Sequence, residues 1–182
     1  MSAAIIEYLD ENIKEIASRL VSGQVGIFPC DTIYGICACV SAENADRIYQ
    51  IKERPQNKSF IELMLKDDII RRGIHAESDL LERWPAPFTA ILNNAEGGTT
   101  AVRVPSDPFL QKLLEYSGPI YSTSVNISGE ASLLSYEDIV PVFGDRVDFI
   151  VRHPSLVPGQ SSTLINATEK PYKIIRQGTY RF

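Results

Sequence analysis

The chain has 182 residues, 44% hydrophobic and 23% charged, with a formal net charge of −5. That length suits one domain with a sizeable core, and the acidity argues against strong non-specific nucleic-acid binding, which rests on lysine and arginine meeting phosphates. No apolar run reaches the roughly 18 residues of a membrane helix, and the opening MSAAIIEYLDENIKEI lacks the basic-then-apolar pattern of a secretory signal, so a cytoplasmic protein with no membrane role is expected.

In chain order, Ile13, Ile16, Ala17, Leu20 and Val21 follow the i, i+3, i+4 spacing of an amphipathic helix, which Gly23 stops. QVGIFP (24–29) reads as a buried strand, followed by a polar turn at Asp31 and Thr32. A second helix is expected over 42–54, with Ala45, Ile48, Tyr49 and Ile51 facing inward. Pro55 ends it, because the residue before a proline is pushed out of the helical region. FIELMLK (60–66) is strand-like, and short helices follow near 67–73 and 78–84. Strands are expected over 88–94 and 100–105, then a helix opened by Ser106 and Asp107 that carries Phe109, Leu110, Leu113 and Leu114. A strand over 119–124, a helix near 136–143 and closing strands at 147–151, 162–166 and 173–177 complete the order. The irregular alternation predicts one α/β domain, residues 1–182, on a mixed sheet.

Three polar turns follow strands: PCDTIYG (29–35), RVPSD (103–107) and STSVNISGE (122–130). Strand ends in open α/β sheets are where loops converge on a ligand crevice. The third turn holds Ser122, Thr123, Ser124, Asn126 and Ser128 within seven positions. Such groups suit phosphate oxygens, although a turn rich in serine and asparagine also satisfies its own backbone. KERPQNK (52–58) sets Lys52, Arg54 and Lys58 close together. A helix C-terminus favours cations by roughly 0.3–1 kcal/mol, which accounts for the first two and leaves Lys58 over. Cys30, Cys37 and Cys39 make no closed disulfide set and, with His75 and His153 remote in sequence, no zinc spacing. They read as reduced and structural. Trp84 and Phe88 in WPAPF read as packing. Neither GxxxxGK[ST], GxGxxG nor GxSxG occurs. The residues alone indicate an α/β domain that binds an anionic ligand.

Taken together, FPCDTIYG (28–35), KERPQNK (52–58), WPAPFTAIL (84–92), AVRVP (101–105), STSVNISG (122–129), STLIN (162–166) and IRQG (175–178) resemble the YrdC/Sua5 family of threonylcarbamoyl-AMP synthases. The resemblance implies a twisted α/β fold, a mixed parallel and antiparallel sheet with flanking helices around a concave cleft. It implies a nucleotidyltransferase that makes threonylcarbamoyl-AMP and pyrophosphate from L-threonine, bicarbonate and ATP, with Mg²⁺ accompanying the triphosphate. A tRNA threonylcarbamoyl transferase would take the product. Lys52, Arg54, Ser124 and Asn126 would hold the ATP phosphates, with Lys58, Ser162 and Arg176 adding to the nucleotide site. Thr32, Tyr34 and Arg103 would form the threonine pocket, Arg103 pairing with the carboxylate as lysine could not. Cys30 departs from the family's usual threonine, Ser59 from its proline and Ala86 from its glycine. A double-stranded RNA or ribosome-binding module of the same fold, without catalysis, is the alternative.

Overall fold

The computed structural model describes residues 2–56, 59–153 and 159–182. Among these residues, ten strands form one sheet: β1 (Ala4–Glu7), β2 (Gly26–Pro29), β3 (Tyr34–Cys39), β4 (Ile61–Leu63), β5 (Phe88–Asn93), β6 (Thr99–Arg103), β7 (Ile120–Ser124), β8 (Phe149–Arg152), β9 (Thr163–Asn166) and β10 (Lys173–Arg176). Their spatial order is β1-β8-β2-β3-β7-β4-β6-β5-β9-β10. β8 runs parallel to both β1 and β2, β4 to β6 and β5 to β9, while the remaining neighbours are antiparallel. The mixed sheet with flanking helices is therefore the expected fold. Among the described residues, no helix is long and apolar enough to cross a membrane.

Among the described residues, six α-helices cover the sheet: α1 (Ile13–Val21), α2 (Ala42–Ile51), α3 (Lys66–Arg71), α4 (Ser78–Arg83), α5 (Pro108–Ser117) and α6 (Tyr136–Phe143). Successive residues of a strand point to opposite faces, and β2 shows the consequence. Phe28 joins the apolar layer under α1 and α5, whereas Ile27 joins the layer under α2 and α6. α5 starts where Asp107 accepts the amides of Phe109 and Leu110 at 2.7 and 3.2 Å, with Pro108 at the first helical position, where its missing N–H costs nothing. A third apolar cluster lies under α3 and α4. There Trp84 and Phe88 stack with ring centroids 4.8 Å apart, so both are packing residues as expected. Removing such a buried ring costs about 3–5 kcal/mol.

The structure corrects several boundaries. β1 and β3 were not expected from the sequence. Val21 points to solvent rather than inward, being 63% exposed. α2 stops at Ile51, ahead of Pro55, and the chain turns through Glu53 at a left-handed φ of 51°. The strand expected over 60–66 shrinks to Ile61–Leu63, and α3 begins three residues later.

Candidate active site

The ends of these strands and the turns beyond them enclose a cleft of about 310 Å³. Of the residues singled out from sequence, Thr32, Tyr34, Arg54, Arg103, Ser124, Ser162 and Arg176 line it. Lys52 and Asn126 are not among its lining residues, and Lys58 lies outside the described residues.

One bank is built on Arg103, the last residue of β6, which is 3% exposed. Its Nη1 donates to Thr32 Oγ1 and its Nη2 to the Cys30 carbonyl, both at 3.0 Å. Asp31 Oδ1 stands 3.4 Å from Nη2. Asp31 adopts a left-handed φ of 51°, which brings its Oδ2 to accept the Ser106 amide at 3.2 Å. Burial raises the Asp31 pKa, opposed by the Arg103 charge. Arg103 Nε and Asp31 Oδ1 are buried with no hydrogen-bond partner among the described residues. Tyr34 is 1% exposed and lines the cleft, but it packs in the apolar layer under α2 and α6 and its hydroxyl accepts the His153 amide at 3.1 Å.

The other bank is the turn after β7. Lys52, 2% exposed, lies behind it. Its Nζ donates to the carbonyls of Ser124 and Asn126 at 2.5 and 3.0 Å, and to Asn126 Oδ1 at 2.8 Å. An ammonium has three donors, and all three are engaged. The Lys52 carbonyl in turn accepts the Ser128 amide. Asn126 is committed as well: Oδ1 also accepts from Ser124 Oγ at 2.7 Å, and Nδ2 donates to the carbonyls of Ile127 and Glu130. Lys52 and Asn126 therefore brace the turn, while Ser122, Thr123 and Ser124 line the cleft. No carboxylate faces the ammonium in these bonds. Burial, with the nearby Arg54 charge, pushes the Lys52 pKa down to about 8.

Arg54 reaches the cleft with its guanidinium 5.4 Å from the Phe60 ring centroid. Its contacts to Thr123 Oγ1 and the Ser59 carbonyl are long, both 3.4 Å, and its buried Nε has no partner among the described residues. Arg176, on β10, donates through Nε and Nη2 to the Ser162 carbonyl at 3.3 and 3.0 Å. Ser162 Oγ lies 2.9 Å from Thr89 Oγ1. Burial lowers the pKa of both arginines, and for Arg176 the Arg103 charge does so as well. Among the described residues, three arginines and no carboxylate line the cleft, with Asp31 set behind Arg103, so its field is positive inside an acidic protein. Phe60 and Ser161 also line it without having been singled out, and so does Cys30, which the sequence placed among the structural thiols. Phe60 and Ser161 carried no polar-turn signal. Among the described residues no group of three or more His, Cys, Asp or Glu could hold a metal ion.

A family model described as telomere recombination, the Sua5–YciO–YrdC model, matches residues 18–178. The threonylcarbamoyl-AMP synthase of Pyrococcus abyssi is 32% identical over 96% of this chain, which spans only 57% of that longer protein. The threonylcarbamoyl-AMP synthase of Vibrio campbellii is 26% identical over 92% of this chain and 100% of its own length. The crystal structure of P. abyssi Sua5 complexed with L-threonine superposes with a TM-score of 0.85 at 26% identity, covering 98% of this chain and 58% of that one.

Proposed function

This chain belongs to the Sua5–YciO–YrdC family, and from that premise and its cleft we propose that it is a threonylcarbamoyl-AMP synthase. It takes L-threonine, bicarbonate and ATP, and releases threonylcarbamoyl-AMP and pyrophosphate. The observation that carries the reading is the pairing, in one cleft, of a buried arginine with spare donor capacity and a hydroxyl-rich turn edged by further cations. The first suits an amino-acid carboxylate and the second a triphosphate.

Threonine's amine adds to bicarbonate with loss of water, giving a carbamate. A carbamate oxygen attacks the α-phosphorus, and pyrophosphate leaves. Such transfers depend on positioning and on stabilising developing charge, so hydroxyls and guanidinium groups are the chemistry required. Arg103, held by Thr32 and the Cys30 carbonyl, orients the threonine carboxylate. Arg54, Ser124 and Arg176 meet the phosphates, and Ser162 steadies the nucleotide. Lys52 contributes its charge through the turn that it braces, with Asn126 as the joint. Mg²⁺ would enter with ATP as part of the substrate, held largely by phosphate oxygens and water, and would neutralise part of the triphosphate charge. The product goes to a transferase that modifies tRNA.

The test is pyrophosphate release with Mg²⁺ and ATP, with and without threonine and bicarbonate, for the wild type and Arg54→Ala. Release that requires both co-substrates and falls in the variant is expected. Release independent of threonine would refute the reading.

A further inference from the structure

Cys30 Sγ and Cys37 Sγ lie 3.4 Å apart as free thiols. Cys30 follows β2 and Cys37 sits on β3, and what lets them meet is Gly35. A Cβ there would stand 2.7 Å from Cys30 Sγ, 2.8 Å from Ser122 Oγ and 3.3 Å from Cys37 Sγ. The two sulfurs fill the space that a side chain would take. Ser122 Oγ adds a bond to Cys30 Sγ at 3.5 Å. Cys30 lines the cleft, whereas Cys37 is sealed behind it at 0% exposure. The third thiol, Cys39, donates to the Ser117 carbonyl at 3.6 Å and takes no part.

We propose that Cys30 and Cys37 are an oxidisable dithiol, converted to a disulfide by a peroxide entering the cleft, and that this disulfide disables the Arg103 bank. The bond with Cys37 and the Arg103 charge favour a Cys30 thiolate, and burial keeps Cys37 protonated. The Cys30 thiolate attacks one oxygen of hydrogen peroxide. The O–O bond breaks, leaving a Cys30 sulfenic acid, and the other oxygen departs as hydroxide, which takes up the proton that the Cys30 thiol released and becomes water. Cys37 sulfur then attacks Cys30 sulfur, the S–O bond breaks, and the Cys37 proton leaves with the second water. Two thiols and one peroxide thus give one disulfide and two waters.

A disulfide spans about 2.05 Å, so the sulfurs must close by about 1.4 Å from their present separation. The Cys30 carbonyl accepts from Arg103 Nη2, from Thr32 Oγ1 and from the Thr32 amide. Displacing that residue therefore displaces the guanidinium and hydroxyl of the bank. Disulfide formation is independent of the synthase reading; its effect on threonine rests on it.

The experiment treats the full chain with hydrogen peroxide, maps the thiols by alkylation and mass spectrometry, and measures threonine binding before and after a dithiol reductant. A Cys30–Cys37 linkage is expected, slowed by bound threonine and ATP. Threonine affinity should fall about tenfold or more, the loss of one charge-assisted bond, and return on reduction. Cys37→Ser and Cys37→Ala should form no disulfide and should accumulate a Cys30 sulfenic acid that a dimedone probe captures. Two thiols that remain alkylatable while Cys39 oxidises would overturn the dithiol. A mapped disulfide with unchanged threonine affinity would overturn its effect on the bank. If the reduced wild type shows no threonine-dependent turnover, the synthase reading fails while the mapping still judges the dithiol.

Discussion

The two banks of the cleft each rest on a buried cation, and they treat it in opposite ways. Arg103 has a carboxylate beside it at 3.4 Å, together with a hydroxyl and a carbonyl. Lys52 has two carbonyls and an amide oxygen, none of them charged. A cation with a counter-ion is left with direction but little net field. A cation among neutral dipoles keeps its charge, held in low dielectric where it acts more strongly than in water. The first arrangement suits one small carboxylate that must be oriented, and the second suits a polyanion that must be attracted. The difference between the banks is thus a division of labour by charge balance, and it can be broken one residue at a time.

The largest effect is expected from Arg103→Lys, which keeps the charge but removes the fork that spans Thr32 and Cys30. A lysine there leaves Asp31 poorly paired, and breaking a buried pair costs about 3–5 kcal/mol. The kcat/KM for threonine should fall on the order of 10²–10³-fold, with KM for ATP nearly unchanged. Steady-state kinetics with each substrate varied checks it, and equal loss for both substrates would erase the distinction between banks. Arg54→Ala comes next. Its bonds are long and its Nε has no described partner, so it adds little to the fold. KM for ATP should rise about 10–100-fold, the value of one charged hydrogen-bonding group, with Tm within a few degrees of the wild type by calorimetry.

Lys52→Met separates bracing from charge. The change leaves three buried acceptors without their donor, each worth about 1–3 kcal/mol, partly offset by removing a buried charge. A net loss of about 2–4 kcal/mol in a denaturant titration is expected, with an ATP affinity roughly tenfold lower. A variant with full stability and weakened ATP binding would return Lys52 to a direct phosphate role.

Much of this was legible beforehand. The motifs carried Thr32, Arg54, Arg103, Ser124, Ser162 and Arg176 to a common cleft, because polar residues at strand ends have few other places to be. β1 was not legible, since AIIE is four residues long and becomes a strand by pairing with β8, some 145 residues onward. β3 was hidden by small residues: YGICAC lacks the β-branched alternation of a strand and is held by β2 and β7 on either side. The direction of Lys52 was hidden for another reason. A lysine at a helix C-terminus satisfies the macrodipole whether it reaches outward or folds back onto a neighbouring turn. Only the position of Ser124 and Asn126, more than 70 residues away, decides between them. The same holds for Cys30 and Cys37, whose meeting depends on the missing side chain of Gly35.

The smallest effect is a pH dependence, and it tests the uncompensated charge of Lys52 most directly. Its pKa is pushed from an ordinary 10.5 down to about 8. Below that point the folded and unfolded chains both hold the proton, and the full cost of burying the charge is present. Between about 8 and 10.5 the unfolded chain keeps a proton that the folded chain sheds, so this group's contribution to stability rises with pH across that window. Phosphate capture moves the other way, because the turn loses its positive charge over the same range. Wild type should therefore show KM for ATP increasing by a few-fold between about pH 7 and 9, while its stability relative to Lys52→Met improves. Taking the difference from that variant removes every other titrating group the two share. A wild-type KM that tracks the variant's through pH 9 would mean that the charge behind the turn is not felt in the cleft.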